Sequence, residues 1–394
     1  MHTTLTAENQ PDFSMMLGGP LYQLCRRLHV LREPLDLVSR RIIVISTIAW
    51  LPLLLLAIVA GRAWGGVRVP FLYDIDAYTR FLVSLPLLVL AEWIVHIRFR
   101  PLVSQFLERE IIREQDRPLF AGIIDSSMRL RNSVAVEIAL LALVFSVGPV
   151  SWRHHAALNA STWYADVVGS TFYLTLPGRY FVYVALPIFQ FILLRWFFRL
   201  ILWYRFLWKV SRLELNLMPT HPDGAGGLGF LTGSAHALAP LLVAQSVLLA
   251  GQIANRIFYA GAKLVEFKME ILLFVLFLLL QALAPLVFFA PALAACQRRG
   301  NREYGVLASR YTADFHRKWI SDNGGSEEIL GSGDIQSLAD LSNSFAVIRS
   351  MSIIPFTKTT VLRLAIIAII PILPLTLTVI PLDQMIDQLL KALL

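Results

Sequence analysis

The sequence of 394 residues is poor in charge: only 16% of it is Asp, Glu, Lys or Arg, whereas 56% is hydrophobic and the mean hydropathy is +0.62. Soluble globular domains carry about 25% charged and about 45–50% apolar residues. The uncharged positions gather in long blocks, which is typical of helices that face lipid. The composition therefore excludes an ordinary soluble domain and indicates an integral membrane protein.

Cysteine and the common catalytic motifs are also scarce. Cys25 and Cys296 are the only cysteines, and no CxxC pair is present, so neither a zinc site nor a redox motif is predicted. The GxSxG, HExxH and GxxxxGK[ST] patterns do not occur. We therefore predict no catalytic residue, no metal and no cofactor.

Membrane topology explains the net positive charge of the sequence. A net charge of +8 and a pI near 9.6 are compatible with nucleic-acid binding. However, Lys and Arg lie mainly between alternate apolar blocks, as the positive-inside rule describes. No nucleic-acid partner is expected, and the lipid bilayer is the predicted partner.

Apolar blocks long enough to cross a hydrocarbon core of about 30 Å predict an all-α, polytopic transmembrane helical bundle of about seven spans. The fifth block carries Gln245, Gln252 and Asn255, so we do not expect it to face lipid all round. The predicted spans are 42–60, 81–98, 133–150, 180–203, 236–256, 270–293 and 361–381.

Orientation follows from the basic residues, which are most abundant in 1–41, 99–132 and 297–360. The amino terminus is predicted to be cytoplasmic, and seven spans place the carboxyl terminus outside. We expect no cleavable signal peptide, because the first apolar block begins only at about residue 42 and is long enough to span.

Outside the spans, the sequence predicts several amphipathic helices. Residues 1–41 form a cytoplasmic arm with an amphipathic element around Leu21–Leu31, and 382–394 form an amphipathic tail on the outer face. The bundle, 42–296, includes a helical cytoplasmic loop at 99–132. In the cytoplasmic connection 297–360, Asp334 is the predicted N-cap of a second helix. The first helix there carries its apolar residues at helical spacing: Tyr304, Leu307, Tyr311, Phe315 and Trp319.

A glycine-rich segment, 219–233, is the most unusual stretch of the sequence. Thr220, His221 and Asp223 precede Gly226 and Gly227, and the glycines permit positive φ angles. Such backbone can present several polar groups to an ion, with the three side chains as further ligands. The alternative interpretation is a tight turn between helices that needs glycine for packing.

Ionisable residues lie within the predicted spans. They are Glu92 and His96 in the second, Glu137 in the third, and Arg195 and Arg199 in the fourth. Charges in a bilayer tend to face the bundle interior and pair, so structural salt bridges are one interpretation. The other is an ion or proton path in which Glu92 and Glu137 take up cations and His96 titrates near neutral pH.

Three further basic residues, Arg205, Lys209 and Arg212, continue the fourth span out of the bilayer. With Arg195 and Arg199 they fall on one side of a helix. We expect this stripe to contact anionic lipid headgroups or to anchor the helix at the cytoplasmic face. Voltage sensing is less well supported, because the spacing is irregular.

Three stretches carry a family resemblance. The pattern THPDxxGGLGF at Thr220–Phe230, with ANRIFYAG at 254–261 and DIQSLADLSNSF at 334–345, resembles a family of uncharacterised proteobacterial multi-span inner-membrane proteins. The resemblance implies a bacterial inner membrane. Because no activity is assigned to the family, it implies nothing about substrate and transfers no functional residue.

Three functional hypotheses follow. The first is an ion channel or transporter-like protein, with a homo-oligomeric assembly expected. The second is a non-transporting membrane sensor or scaffold, in which the cytoplasmic connections bind a partner or anionic lipid. The third is an intramembrane enzyme acting on lipid, with His221 and Asp223 as a base pair. Membrane flux, loss of a partner on deletion of those connections, and the effect of His221→Ala separate the three.

Overall fold

The computed structural model describes residues 13–16, 18, 38–155, 161–168, 171–321 and 333–378, with the side chains of 147–155, 167–168 and 171–172 left out. The predicted amphipathic element around Leu21–Leu31, most of the break between the two cytoplasmic helices, and the tail 382–394 lie outside the described residues.

The described residues are mainly helical, as predicted. One antiparallel hairpin, β1 (Ala165–Val168) and β2 (Thr171–Leu174), was not predicted. The helices are α1 (Val38–Val59), α2 (Ile75–Glu108), α3 (Arg117–Arg131), α4 (Val134–His155), α5 (Leu176–Val210), α6 (Gly229–Ala260), α7 (Leu264–Ser321), α8 (Gly333–Ser350) and α9 (Lys358–Thr378).

Six of these helices, α1, α2, α5, α6, α7 and α9, are long and apolar enough to cross a membrane. The chain is therefore a multi-pass helical membrane protein. The third predicted span corresponds to α4, whose apolar part with described side chains is Val134–Ser146. Its crossing, and with it the total of seven, stays a prediction. The most buried of the six is α6, in line with the expectation for the polar fifth span.

Contacts at the helix ends define two ends of the bundle. At one end Arg41, near the start of α1, contacts Glu92 of α2 and lies close to the last third of α5. At the other end, Asp74 precedes α2 and contacts Asn255 near the end of α6. We call the first the inner end, which the basic residues predict to be cytoplasmic, and the second the outer end.

Prolines shape the outer halves of α2 and α5. Each helix widens into a π turn, at Thr79–Ser84 and Phe181–Ala185, immediately before the Leu-Pro pairs that begin at Leu85 and Leu186. The leucine N–H then bonds five residues back, to Arg80 and Phe181. A proline ring clashes with the carbonyl four residues earlier, and a wider turn relieves that clash while the helix continues.

The region 99–132 is not a separate loop. Helix α2 continues to Glu108, and after a short turn α3 packs against α5. Phe106, Phe120 and Ile124 are buried in the main core. Hydropathy marks where lipid ends, but the helix continues into water because one face stays buried. This part of the predicted cytoplasmic surface is therefore core.

The connection after the sixth span forms a helical hairpin of α7 and α8. Trp319 is buried, and Tyr304, Tyr311 and Phe315 are half-buried, which confirms the predicted amphipathic face. Leu307 is an exception, because it is 50% exposed. Asp334 lies in the first turn of α8, where its carboxylate accepts hydrogen bonds from Trp319 Nε1 and Lys318 Nζ, both at 3.0 Å, rather than from backbone N–H groups.

Candidate functional site

An ion cluster joins three helices at the inner end of the bundle. Both carboxylate oxygens of Glu92 accept from arginines, Oε2 from Arg41 Nη2 at 2.6 Å and Oε1 from Arg199 Nη1 at 2.7 Å. The three residues are 5%, 9% and 3% exposed, respectively. The cluster therefore ties α1, α2 and α5 together through charges that are almost completely withdrawn from solvent.

The cluster contains more positive than negative charge. Arg195, half-buried and one turn before Arg199, is close enough for its charge to act on Glu92. Two guanidinium groups thus contact the carboxylate and a third lies near it, so this group of described residues carries two more positive charges than negative ones. Trp196 packs against the guanidinium of Arg199, 5.2 Å from its ring centre, and helps to fix its position.

Residues 13–16 pack about one helical turn beyond this cluster, against His96 of α2 and Trp203 of α5, and we call them the inner plug. Phe13 packs against the rings of Trp203 and Phe206, at 6.2 and 4.8 Å between centroids. The Ser14 hydroxyl hydrogen-bonds to Nδ1 of His96 at 2.9 Å, and Arg131 donates to the Ser14 carbonyl. His96 is therefore a buried partner of the plug, one turn beyond Glu92.

The cluster lies toward the inner end of the bundle, far along α2 from its outer end. Glu92 follows the start of α2 by 17 positions, or about 26 Å of helix. Arg41, which the sequence analysis assigned to the arm, is the fourth residue of α1. Because Arg41 contacts Glu92, the start of α1 lies level with the position of Glu92 on α2.

Glu137 does not join this cluster. It lies half-buried in the first turn of α4, where a carboxylate is favourable at a helix amino terminus. The ion pairs of Glu92 are with Arg41 and Arg199 in the described part of the chain. Of the ionisable residues predicted at one depth, Glu92 and Arg199 are in the cluster, whereas Glu137 lies at the start of α4.

In the glycine-rich segment, Asp223 is held by the backbone. Its Oδ1 accepts from the N–H groups of Ala225 at 2.8 Å and Gly227 at 3.1 Å, and its Oδ2 from Gly229 at 2.8 Å. His221 Nδ1 is 2.9 Å from the same carboxylate. Burial opposes the charge, but these hydrogen bonds and His221 together hold the pKa of Asp223 below its ordinary value.

The glycines of this segment meet packing demands. Gly226 and Gly227 have φ of +62° and +99°, and a Cβ on Gly227 would lie 2.9 Å from the Ile111 side chain. The Gly224 carbonyl accepts from the N–H of Ser352 at 2.8 Å, while Thr220 is half-buried beside the turn. The loop directs its N–H groups at Asp223, which supports the packing interpretation over the ion-binding one.

The predicted basic stripe on α5 is divided. Arg205 Nη2 and Lys209 Nζ both point at Ser126 of α3, at 3.0 and 3.3 Å from its Oγ. Arg212 is exposed and lies instead over the ring of Trp208, 5.5 Å from its centre. The first two therefore form a site with α3, and Arg212 does not.

A polar cluster at the outer end was missed in the sequence. Asp74 is buried and accepts from Trp163 Nε1 at 2.6 Å and Asn255 Nδ2 at 2.7 Å, while Asn255 also accepts from the N–H of Ile75 at 3.1 Å. Burial, with the charge of Asp76, raises the pKa of Asp74. Asn255 lies within the ANRIFYAG stretch, which was a signal, but nothing in the sequence indicated its partner.

No protein-family model, curated protein or solved structure matches the chain. The predicted family resemblance, the homo-oligomer and the bacterial inner membrane therefore stay predictions. Functional inference depends on the residues and their geometry.

Proposed function

We propose that the protein is a channel or transporter-like membrane protein that moves anions, with the Arg41–Glu92–Arg195–Arg199 cluster at the inner end of the path. The observation that carries the proposal is the buried excess of positive charge in this cluster. A path for cations, the earlier expectation for Glu92, is not supported, because two arginines already occupy its carboxylate.

Electrostatics favour an anion at this place. Two unit charges about 5 Å apart interact by roughly 3 kcal/mol at an effective dielectric constant of about 20. An approaching anion would gain this order of energy from the uncompensated guanidinium groups, and a cation would lose it. The position toward the inner end, where cytoplasmic solutes arrive, suits a selective entrance.

Neutral polar side chains inside the bundle support a polar path. The Nε2 of Gln245, both amide atoms of Gln281 and the hydroxyl of Ser246 are buried without a hydrogen-bond partner in the described part of the chain. A buried polar group that lacks a partner costs about 1–3 kcal/mol. Water or a passing ion would offset that cost.

In this proposal the inner plug closes the ion path, so the structure represents a closed state of the protein. Phe13 and Ser14 contact α5 and α2 about one helical turn beyond the cluster, on its inner side. Removing the aromatic anchor with Phe13→Ala should release the plug while leaving the ion cluster intact.

Reconstitution into liposomes tests the proposal through chloride, potassium and proton flux. We expect Phe13→Ala to raise chloride flux selectively. Adding Arg195→Gln should lower that flux about a hundredfold, because one uncompensated charge worth roughly 3 kcal/mol is lost. Arg113→Gln, which breaks an exposed pair with Glu214, is the matched control. If the wild type and Phe13→Ala leak no more than empty vesicles for all three ions, the proposal is wrong.

A non-transporting sensor or scaffold is the second candidate, and the α7–α8 hairpin favours it. The hairpin leaves Val306, Leu307 and Ile335 exposed, whereas Phe106, Phe120 and Ile124 of the 99–132 region are buried in the core. In this case flux would be absent, and crosslinking between copies of the chain would be lost with Leu307→Ser. If crosslinking is unchanged in Leu307→Ser, copies of the chain do not contact each other through the hairpin.

A further inference from the structure

Two basic side chains of α5 converge on one neutral oxygen of α3. Arg205 Nη2 and Lys209 Nζ lie 3.0 and 3.3 Å from Ser126 Oγ. A hydroxyl oxygen has two lone pairs and one hydrogen. Donation from both cations occupies the lone pairs, so the hydrogen of Ser126 is left to donate to a further acceptor.

This pocket has positive charge and unused donors. Arg129 and Arg205 are both close enough for their charges to act on Lys209. Nη1 of Arg205 is fully buried and has no partner among the described residues. Neither Arg205 nor Lys209 forms an ion pair with a described carboxylate. Like charges repel, so a bound anion would stabilise this arrangement of cations around a hydroxyl.

The depth of the pocket suits a lipid headgroup. Arg205 and Lys209 follow Arg199 by six and ten positions, or about 9 and 15 Å of helix toward the inner side. Headgroup regions extend several ångströms beyond the hydrocarbon core. Ile201 and Trp208, exposed apolar residues, flank Arg205 on the same side of α5.

We infer that Ser126, Arg205 and Lys209, with Arg129, form a binding site for a phosphate group. Guanidinium, ammonium and hydroxyl donors directed at one point match the oxygens of a phosphate. The phosphate of an anionic lipid and free inorganic phosphate share this chemistry. The site is separate from the Glu92 cluster and does not depend on the proposed transport.

Thermal unfolding of the full-length protein in detergent tests the site. The probes are phosphatidylglycerol, zwitterionic phosphatidylcholine and inorganic phosphate, because a ligand that binds the folded state raises Tm with its concentration. The double variant Arg205→Gln/Lys209→Gln removes both cations. Ser126→Ala keeps both charges but removes the hydroxyl. Arg212→Gln removes one charge just beyond the end of α5, outside the site.

We expect phosphatidylglycerol to raise Tm in the wild type and in Arg212→Gln, with the apparent Kd raised about tenfold or more in the double variant and less in Ser126→Ala. A response to inorganic phosphate that is lost in the same double variant would assign the site to soluble phosphate. Equal responses in the double variant and Arg212→Gln, or equal responses to phosphatidylcholine and phosphatidylglycerol, would overturn the inference.

Discussion

Among the described residues, Glu92 is the only carboxylate that Arg41 and Arg199 contact, and Glu92→Gln would remove it. Both guanidinium groups are nearly inaccessible to solvent, so each would keep its charge without a counter-charge. Removing one partner of a buried ion pair costs about 3–5 kcal/mol. Because one carboxylate serves two arginines here, we expect Glu92→Gln to lie at the upper end of that range, about 5 kcal/mol.

The arginine variants should cost less. Arg199→Gln leaves Glu92 paired with Arg41, so its charge stays compensated, and about 1–3 kcal/mol is expected for the lost hydrogen bond. The double variant Glu92→Gln/Arg199→Gln should be more stable to unfolding than Glu92→Gln alone, because it no longer contains the buried, unpaired charge of Arg199. Such a non-additive result identifies direct coupling between the two positions.

Unfolding in mixed detergent micelles, followed by circular dichroism, measures these differences. Arg113→Gln, which breaks an exposed pair, should cost at most about 1 kcal/mol. If Glu92→Gln unfolds like Arg113→Gln, the charges are hydrated and the cluster is not the buried centre described above. The same outcome would weaken the argument for an uncompensated positive charge.

Two further predictions concern stability. Asp223→Asn should cost about 1–2 kcal/mol at pH 7 because three backbone N–H groups lose a charged acceptor. The folded pKa of Asp223 is depressed, so its contribution is present above the ordinary value of 3.8 and fades as pH falls through the folded pKa. A difference that stays constant from pH 7 to pH 3 would contradict this. Gly178→Ala should cost about 2 kcal/mol or more, since a Cβ would lie 1.9 Å from the Tyr164 carbonyl oxygen, whereas Gly122→Ala, with nothing within 4 Å, should be neutral or stabilising. Thermal unfolding that does not separate these two alanine variants would be the contrary result.

The helices were predictable from the sequence, and their ends were not. Apolar runs locate the lipid-facing part of α2 and α7, but both helices continue well past it. Whether a helix continues past its apolar run depends on which other elements pack against that part. In α2, Phe106 lies beyond the apolar run and packs against Phe120 and Phe230. That information is tertiary, so hydropathy cannot supply it.

The ion cluster was partly predictable. Glu92 and Arg199 were recognised as buried charges, because charge within an apolar run implies a partner. Arg41 was assigned to the arm, because it stands before the first apolar run and resembles an ordinary flanking residue. The role of Asp223 was hidden for another reason. Its three backbone partners depend on a turn in which Gly224, Gly226 and Gly227 take positive φ, and a sequence permits that turn without specifying it.

The basic residues at the inner end have two explanations that differ in what they require. Membrane topology requires only that arginine and lysine lie on one side of the bilayer, and exposed residues such as Arg212 satisfy it fully. It does not require Arg199 to be 3% exposed, or Nη1 of Arg205 to be buried with no partner among the described residues. Burial of a cation costs energy that solvent exposure would avoid. Cations are withdrawn from solvent at two separate places on α5, each with more positive than negative charge among the described residues. The two anion sites proposed above would account for this burial, and orientation alone does not.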